Sequence, residues 1–354
     1  MRADQPGSSG QQPGTPRVLL VRTSALGDIV HCLPALRALR EHLPTAYIGW
    51  VVEDVFAPLL DQDPDIDEVL TVRTRRWRES LLAAATWRDI GGAFRRIRNF
   101  DAEVVLDLMG NHKAGVLAAM SWSDRRIGLE RGSRREPSSA LWLSESVPST
   151  GPHAVDRALA VASAIGSSTH FKGFAPEKIL AGAGSHKFNE SGDYAVIHPG
   201  AAWPNKQYPA DRWGAVAAEL GRRTGWKILI SAGPGEAGMA EELGRSSRDT
   251  ARRAPAENLP SLVALLAGAR LVLGGDTGPL HLAHALEVPT LFIHGPTDPA
   301  RSGPYGAPQR ALWHRLPCSF CHRGFSEVKP CLLNLAPEQI VERALELSRC
   351  PKSP

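Results

Sequence analysis

The stretch Gly274-Gly275-Asp276-Thr277-Gly278-Pro279-Leu280-His281-Leu282-Ala283-His284-Ala285 constrains the fold more than any other. An apolar run, Leu271-Val272-Leu273, stops at two glycines; Asp, Thr and Gly follow, and a helical pattern begins at Gly278. That is a strand feeding a helix through a tight turn. A helix N-terminus carries free backbone N–H groups and the positive end of the dipole, which suits a phosphate. Thr277 adds a hydroxyl, and His281 follows one helical turn on. A simple cap by Asp276 or Thr277 accounts for the same residues equally well.

The same alternation recurs along the chain of 354 residues, long enough for two domains. Strands are expected at 17–23, 47–52, 67–72 and 103–108, with helices at 27–43, about 77–98 and 153–165. Segment 166–192 loses apolar periodicity and is rich in Gly, Ser and Lys. The pattern restarts with strands at 194–198, 226–231, 270–273 and 289–293 and helices at 210–223, 236–243, 259–267 and from 278. Strands alternating with helices imply parallel sheets joined by crossovers. Two such runs predict an α/β protein of two Rossmann-like doubly wound domains facing across a cleft: 17–175, a linker at 176–192, and 193–354. Ligands in such sheets bind beyond the C-terminal ends of strands, where strand order reverses. Residues 1–16 are rich in Gly, Pro, Ser and Gln and read as a disordered lead-in, not a signal peptide.

Hydrophobic residues make up 43% and charged residues 22%, and the net charge of +4 is too mild to imply a nucleic-acid partner. The distribution says more. Between Thr71 and Phe100 lie Arg73, Arg75, Arg76, Arg78, Arg88, Arg95, Arg96 and Arg98, against Glu79 and Asp89. Such a block is either a solvated helix face or a grip for an anionic partner. No apolar stretch reaches the length of a membrane span, and five cysteines without a secretory signal favour a reduced, cytoplasmic setting.

Three more loops carry chemistry. After the first strand comes Arg22-Thr23-Ser24-Ala25-Leu26-Gly27-Asp28. It has one glycine, so the G-x-G-x-x-G of a nicotinamide oxidoreductase is absent. Asp28 either caps the first helix or faces the cleft as a general base, ionised by the helix dipole. His198-Pro199-Gly200-Ala201-Ala202-Trp203-Pro204-Asn205-Lys206 offers one lysine beyond a strand end, a surface residue or a phosphate partner. Ser231-Ala232-Gly233-Pro234-Gly235-Glu236 offers Glu236, a cap or an acceptor for ribose hydroxyls.

In this order the S-x-x-G-D, H-P-G…K, G-P-x-E and G-D-T-G-x-x-H-L-A motifs resemble the lipopolysaccharide heptosyltransferases of glycosyltransferase family 9. Gly295-Pro296-Thr297-Asp298-Pro299 fits the same family, and the resemblance runs from Arg17 to Arg349. It implies the glycosyltransferase-B architecture, with an N-terminal acceptor domain and a C-terminal donor domain. It further implies inverting, metal-independent transfer of a heptose from ADP-heptose, without a cofactor. Asp28 would be the base, with Lys206, Glu236, Asp276, Thr277, Gly278 and His281 on the donor. Arg75-Arg76-Trp77-Arg78, Gly110-Asn111-His112-Lys113 and Arg134-Arg135-Glu136-Pro137 are similar to acceptor segments of the first heptosyltransferase. Arg75, Arg76, Arg78, Lys113 and Arg135 would then face Kdo-lipid A, and Trp77 with the arginines would rest on the anionic inner leaflet. A later-acting family member, or a nucleotide-sugar-binding protein without catalysis, is the alternative.

Two features depart from that branch. Ala201-Ala202 stand where hydroxyl residues are common, leaving backbone N–H groups to do their work. Cys318-x-x-Cys321-His322 with Cys331 looks more like the second-heptosyltransferase branch; these residues either hold a structural zinc or are plain packing cysteines. Asp61-Gln62-Asp63-Pro64-Asp65 reads as a turn, not a metal-binding D-x-D.

Overall fold

The computed structural model describes residues 15–349, apart from Ser185, Lys187 and Pro234. The expected disordered lead-in falls almost wholly outside these, as does Cys350.

Among the described residues twelve strands form two six-stranded sheets, each parallel throughout. The first comprises β1 (Arg17–Val21), β2 (Tyr47–Glu53), β3 (Glu68–Val72), β4 (Val104–Asp107), β5 (Arg125–Leu129) and β6 (Glu145–Val147), in the order β3-β2-β1-β4-β5-β6. The second comprises β7 (Tyr194–His198), β8 (Lys227–Ile230), β9 (Ala251–Arg253), β10 (Leu271–Gly275), β11 (Thr290–His294) and β12 (Ala311–Trp313), in the order β12-β11-β10-β7-β8-β9. Helices cover both faces of a parallel sheet, so central strands bury every residue; β4, β7, β10 and β11 do so. Strand order reverses between β1 and β4, and again between β7 and β10. The loops leaving those four strands carry Ser24–Asp28, Gly110–Lys113, His198–Lys206 and Asp276–His281.

One hydrophobic cluster joins the two halves. Leu26, Ile29, Val30 and Leu33 on helix Leu26–His42 belong to the same buried set as Leu280, Leu282 and Ala283 on helix Gly278–Ala285. The cleft is therefore closed at its base by a helix–helix contact. Among the described residues no helix is long and apolar enough to cross a membrane.

Three local expectations need correction. The long Arg-rich helix is two, Thr74–Glu79 and Ala84–Asn99. The Trp77 indole N–H donates to Asp89 at 2.7 Å, whereas an unbroken helix would hold residues twelve apart about 18 Å from each other along its axis. β10 runs through both glycines instead of stopping at them: a Cβ on Gly274 would lie 2.5 Å from the His198 carbonyl oxygen. The segment read as linker contains helix Pro176–Gly182, tied back by Lys178 to Asp65 at 2.8 Å. Helix His112–Ala119 and the short strands β5, β6, β9 and β12 escape a reading by periodicity.

Candidate active site

Two helix N-termini meet at the bottom of the cleft. Gly27, in the first turn of Leu26–His42, faces Gly278, the first residue of Gly278–Ala285. A Cβ on Gly27 would come within 2.6 Å of His281 Cδ2, and one on Gly278 within 2.7 Å of Leu26 Cβ. Only glycine permits this approach, which aims two positive dipole ends into one place.

A cavity of about 340 Å³ opens there. Lys206, Glu236, Asp276, Thr277, Gly278 and His281, scattered over 75 positions of sequence, all line it, with Asp28, His31, Ala201 and Ala202. Asp276 is no helix cap. Its carboxylate accepts from Lys206 Nζ at 2.9 Å, His281 Nε2 at 2.9 Å and Ser302 Oγ at 3.3 Å. Burial alone would raise its pKa; the bond from His281 and the Lys206 charge overcome that and hold it well below the usual carboxylate range. Thr277 occupies the N-cap position with no side-chain cap bond, so its hydroxyl is not committed to the helix.

The network continues across the cleft floor. On its other side, His281 Nδ1 lies 3.2 Å from His31 Nε2. The buried His31 Nδ1 has no hydrogen-bond partner among the described residues. Burial, reinforced by His281 and His153, pushes the His31 pKa well down. His153 stands edge-on to His31 at 5.1 Å and is pushed down to about 4 by burial. Neutral imidazoles thus fill the space between the halves. Glu236 precedes helix Ala237–Ser246; its Oε2 accepts from Gly233 N–H at 2.6 Å and lies 4.0 Å from His198 Nε2.

Asp28 forms part of a second wall as well. A cavity of about 390 Å³ on its other side is lined by Arg22, Arg135, Arg157 and Arg301, with Trp203 and His322. Asp28 is at the third helical position, where it accepts only a long 3.4 Å bond from Ala25 N–H. Its main partner is Arg22, whose guanidinium also donates to the Leu108 carbonyl at 2.7 Å. Burial would lower the Arg22 pKa, but Asp28 beside it raises it overall. The pair holds the carboxylate, 41% exposed, between the two cavities.

The basic segments divide. Lys113 reaches Ser24 Oγ at 3.4 Å and Glu53 at 3.6 Å. Burial lowers its pKa against the pull of Glu53, and the charges of Arg78 and Arg75 lower it further. Arg135 lines the basic cavity because Arg134 beneath it is fully buried on Asp107 and Ser139. Arg75, Arg76 and Arg78 are all exposed, and none makes an ion pair among the described residues. Trp77 is half-buried against Asp89, so it is not an exposed apolar anchor.

Cys318 and Cys321 are exposed and Cys331 is half-buried. Among the described residues no three His, Cys, Asp or Glu side chains gather closely enough to hold a metal. Asp63 and Asp65 accept from Arg37, and Asp65 also from Lys178. That neutralises the acidic turn.

Sequence reasoning missed Arg22, His31, Arg157, Arg301 and His322. Arg22 and Arg301 stood inside or just after loops already singled out, and His322 stood in the cysteine motif. His31 and Arg157 sit on helices whose apolar spacing gave no sign of their direction.

The family model for glycosyltransferase family 9 (heptosyltransferase) matches residues 91–331. The chain belongs to glycosyltransferase family 9. It is 34% identical to lipopolysaccharide heptosyltransferase 1 of Pseudomonas aeruginosa, over 86% of each chain. It is 30% identical to the Escherichia coli K12 protein of that name, over 83% of this chain and 92% of the relative. The solved E. coli heptosyltransferase WaaC with ADP superposes with a TM-score of 0.79 at 27% identity, covering 94% of this chain and 99% of that one. WaaC with ADP-2-deoxy-2-fluoro heptose gives 0.77 at 26% identity, covering 93% and 99%. The family's heptosyltransferases share this pair of parallel sheets.

Proposed function

We propose that this enzyme transfers L-glycero-D-manno-heptose from ADP-heptose, with inversion, to Kdo-lipid A in the inner core of lipopolysaccharide. The observation that carries the reading is Asp28 on the wall shared by a phosphate-suited cavity and a basic one. ADP and an ADP-heptose analogue are the ligands of the similar WaaC structures.

In this reading the donor lies in the smaller cavity. The diphosphate meets the N–H groups at Thr277–Gly278 and takes Lys206 over from Asp276, while Glu236 Oε1 accepts from ribose hydroxyls. His281 holds Asp276 in place meanwhile. The acceptor lies in the larger cavity, its phosphates and carboxylates on Arg75, Arg76, Arg78, Lys113 and Arg135. Arg157 and Arg301 add charge there. The acceptor oxygen attacks the anomeric carbon from the face opposite ADP; its proton passes to Asp28, and the C–O bond to ADP breaks with its electrons going to the diphosphate. The transition state is oxocarbenium-like by analogy with glycoside cleavage. Lys206 and the two converging helix N-termini stabilise the leaving charge. The N-terminal half, 17–175, is then the acceptor domain, and 193–354 the donor domain. The site works on the cytoplasmic face of the inner membrane.

Incubation with ADP-heptose and Kdo-lipid A, read by mass spectrometry of the lipid and by NMR of the new anomeric centre, tests this. One added heptose with inverted configuration is expected. Binding of ADP-sugars without turnover would replace it with the non-catalytic reading. Transfer only to an already heptosylated acceptor would replace it with a later step of core assembly.

A further inference from the structure

The break in the Arg-rich segment leaves an unusual projection. Ser80–Ala83 is a turn closed by Ala83 N–H on the Ser80 carbonyl at 3.0 Å. Its two central residues are Leu81 and Leu82, where turns ordinarily carry Gly, Pro, Asn, Asp or Ser. Leu81 is 51% exposed and Leu82 103%, so neither belongs to a core. Trp87, one turn into the next helix, is 61% exposed, and its indole N–H donates to the Leu81 carbonyl at 2.9 Å. That bond satisfies the turn's backbone and fixes the aromatic ring beside the two leucines. Arg75, Arg76, Arg78 and Arg88 flank them in the sequence, all exposed, against Glu79 as the single acid between 75 and 88.

We infer that Leu81, Leu82 and Trp87 form a membrane-insertion tip that enters an anionic bilayer surface, with the surrounding arginines on the lipid headgroups. Charge chooses this occupant. An apolar patch of this kind marks an interaction surface. Four exposed flanking arginines, without an ion pair among the described residues, suit anionic lipid, where each basic residue adds attraction within a Debye length. Tryptophan, with one polar edge, is at home at that depth. Trp77, turned onto Asp89, takes no part. The inference rests on the acceptor reading and extends it, because Arg75, Arg76 and Arg78, assigned there to the acceptor, lie in the segment just before the tip.

Vesicle flotation tests it without turnover. The full chain is mixed with phosphatidylcholine vesicles, with or without phosphatidylglycerol, at low and high salt. Binding to the anionic vesicles only, weakening as salt rises, is expected. The Leu81→Ser/Leu82→Ser variant should bind roughly tenfold more weakly or worse, with an unchanged melting temperature because both side chains are solvated. Trp87 fluorescence should be quenched by brominated lipid in the wild type and not in the variant. With a lipid-free Kdo acceptor the variant should turn over as the wild type does, and fall behind only on vesicle-embedded acceptor. Equal binding of variant and wild type, or equal binding to neutral and anionic vesicles, would overturn the inference. So would a dimer in lipid-free solution that the double substitution abolishes, which would make the tip a self-association surface. Vesicle binding with no turnover at all would sink the proposed reaction and leave the tip standing.

Discussion

Replacing Lys206 with alanine does two things at once. It removes a charge-assisted contact to the nucleotide diphosphate, a loss of about 1.5–3 kcal/mol. It also unmasks Asp276, which is buried and whose carboxylate rests on Lys206 at 2.9 Å. A bare carboxylate about 5 Å from a phosphate repels it by about 3 kcal/mol at an effective dielectric of about 20. The two effects sum to about 5 kcal/mol, or ADP binding weaker by about 10³–10⁴-fold. Lys206→Ala/Asp276→Asn loses the contact and not the repulsion, so it should bind ADP more tightly than the single variant, at a cost of about 10–100-fold from wild type. Titration calorimetry with ADP reads all three proteins. A double variant no tighter than Lys206→Ala, or a single variant within about threefold of wild type, would refute a lysine shared between Asp276 and the diphosphate.

Gly27→Ala should drive a methyl group onto His281, which Asp276 and His31 hold from both sides; the overpacking costs roughly 1–3 kcal/mol, and a melting temperature and ADP affinity equal to wild type would show that the helix ends do not bear on each other. His153, His284 and His294 are each pushed down to about 4 from 6.5 by burial. The unfolded chain therefore takes up protons first as pH falls. Stability should drop between pH 6.5 and about 4, by roughly 3 kcal/mol per histidine; a urea midpoint flat across that window would contradict it. Changing Arg75, Arg76 and Arg78 together to glutamine should raise the acceptor KM and leave ADP affinity unchanged, as steady-state kinetics at two salt concentrations would show.

The site was legible where strands end. Gly, Pro and Asp clusters interrupt apolar runs after β1, β7, β8 and β10, and parallel sheets place such loops on one edge. The role of Asp276 was harder to read, because a carboxylate before a helix looks the same whether it caps the helix or holds a distant lysine. Lys206 lies 70 residues away, and only the fold brings it near. Arg22 shows the same limit: its value lies in reaching Asp28 and the Leu108 carbonyl together. The break at Ser80–Ala83 has neither Gly nor Pro to announce it, and it is set by the pairing of Trp77 with Asp89. Helix Pro176–Gly182 likewise depends on a tertiary partner, the Asp65 that receives Lys178.

The central claim is that Asp28, held by Arg22 between the two cavities, takes the acceptor's proton. Asp28→Asn keeps the size and the helix position and removes the base. Single-turnover kinetics with saturating ADP-heptose and Kdo-lipid A, beside calorimetric ADP binding, decide it. The rate should fall by about 10²–10⁴-fold with ADP affinity nearly unchanged. A variant that keeps more than about half of its rate would make Asp28 a structural partner of Arg22 and place the base elsewhere.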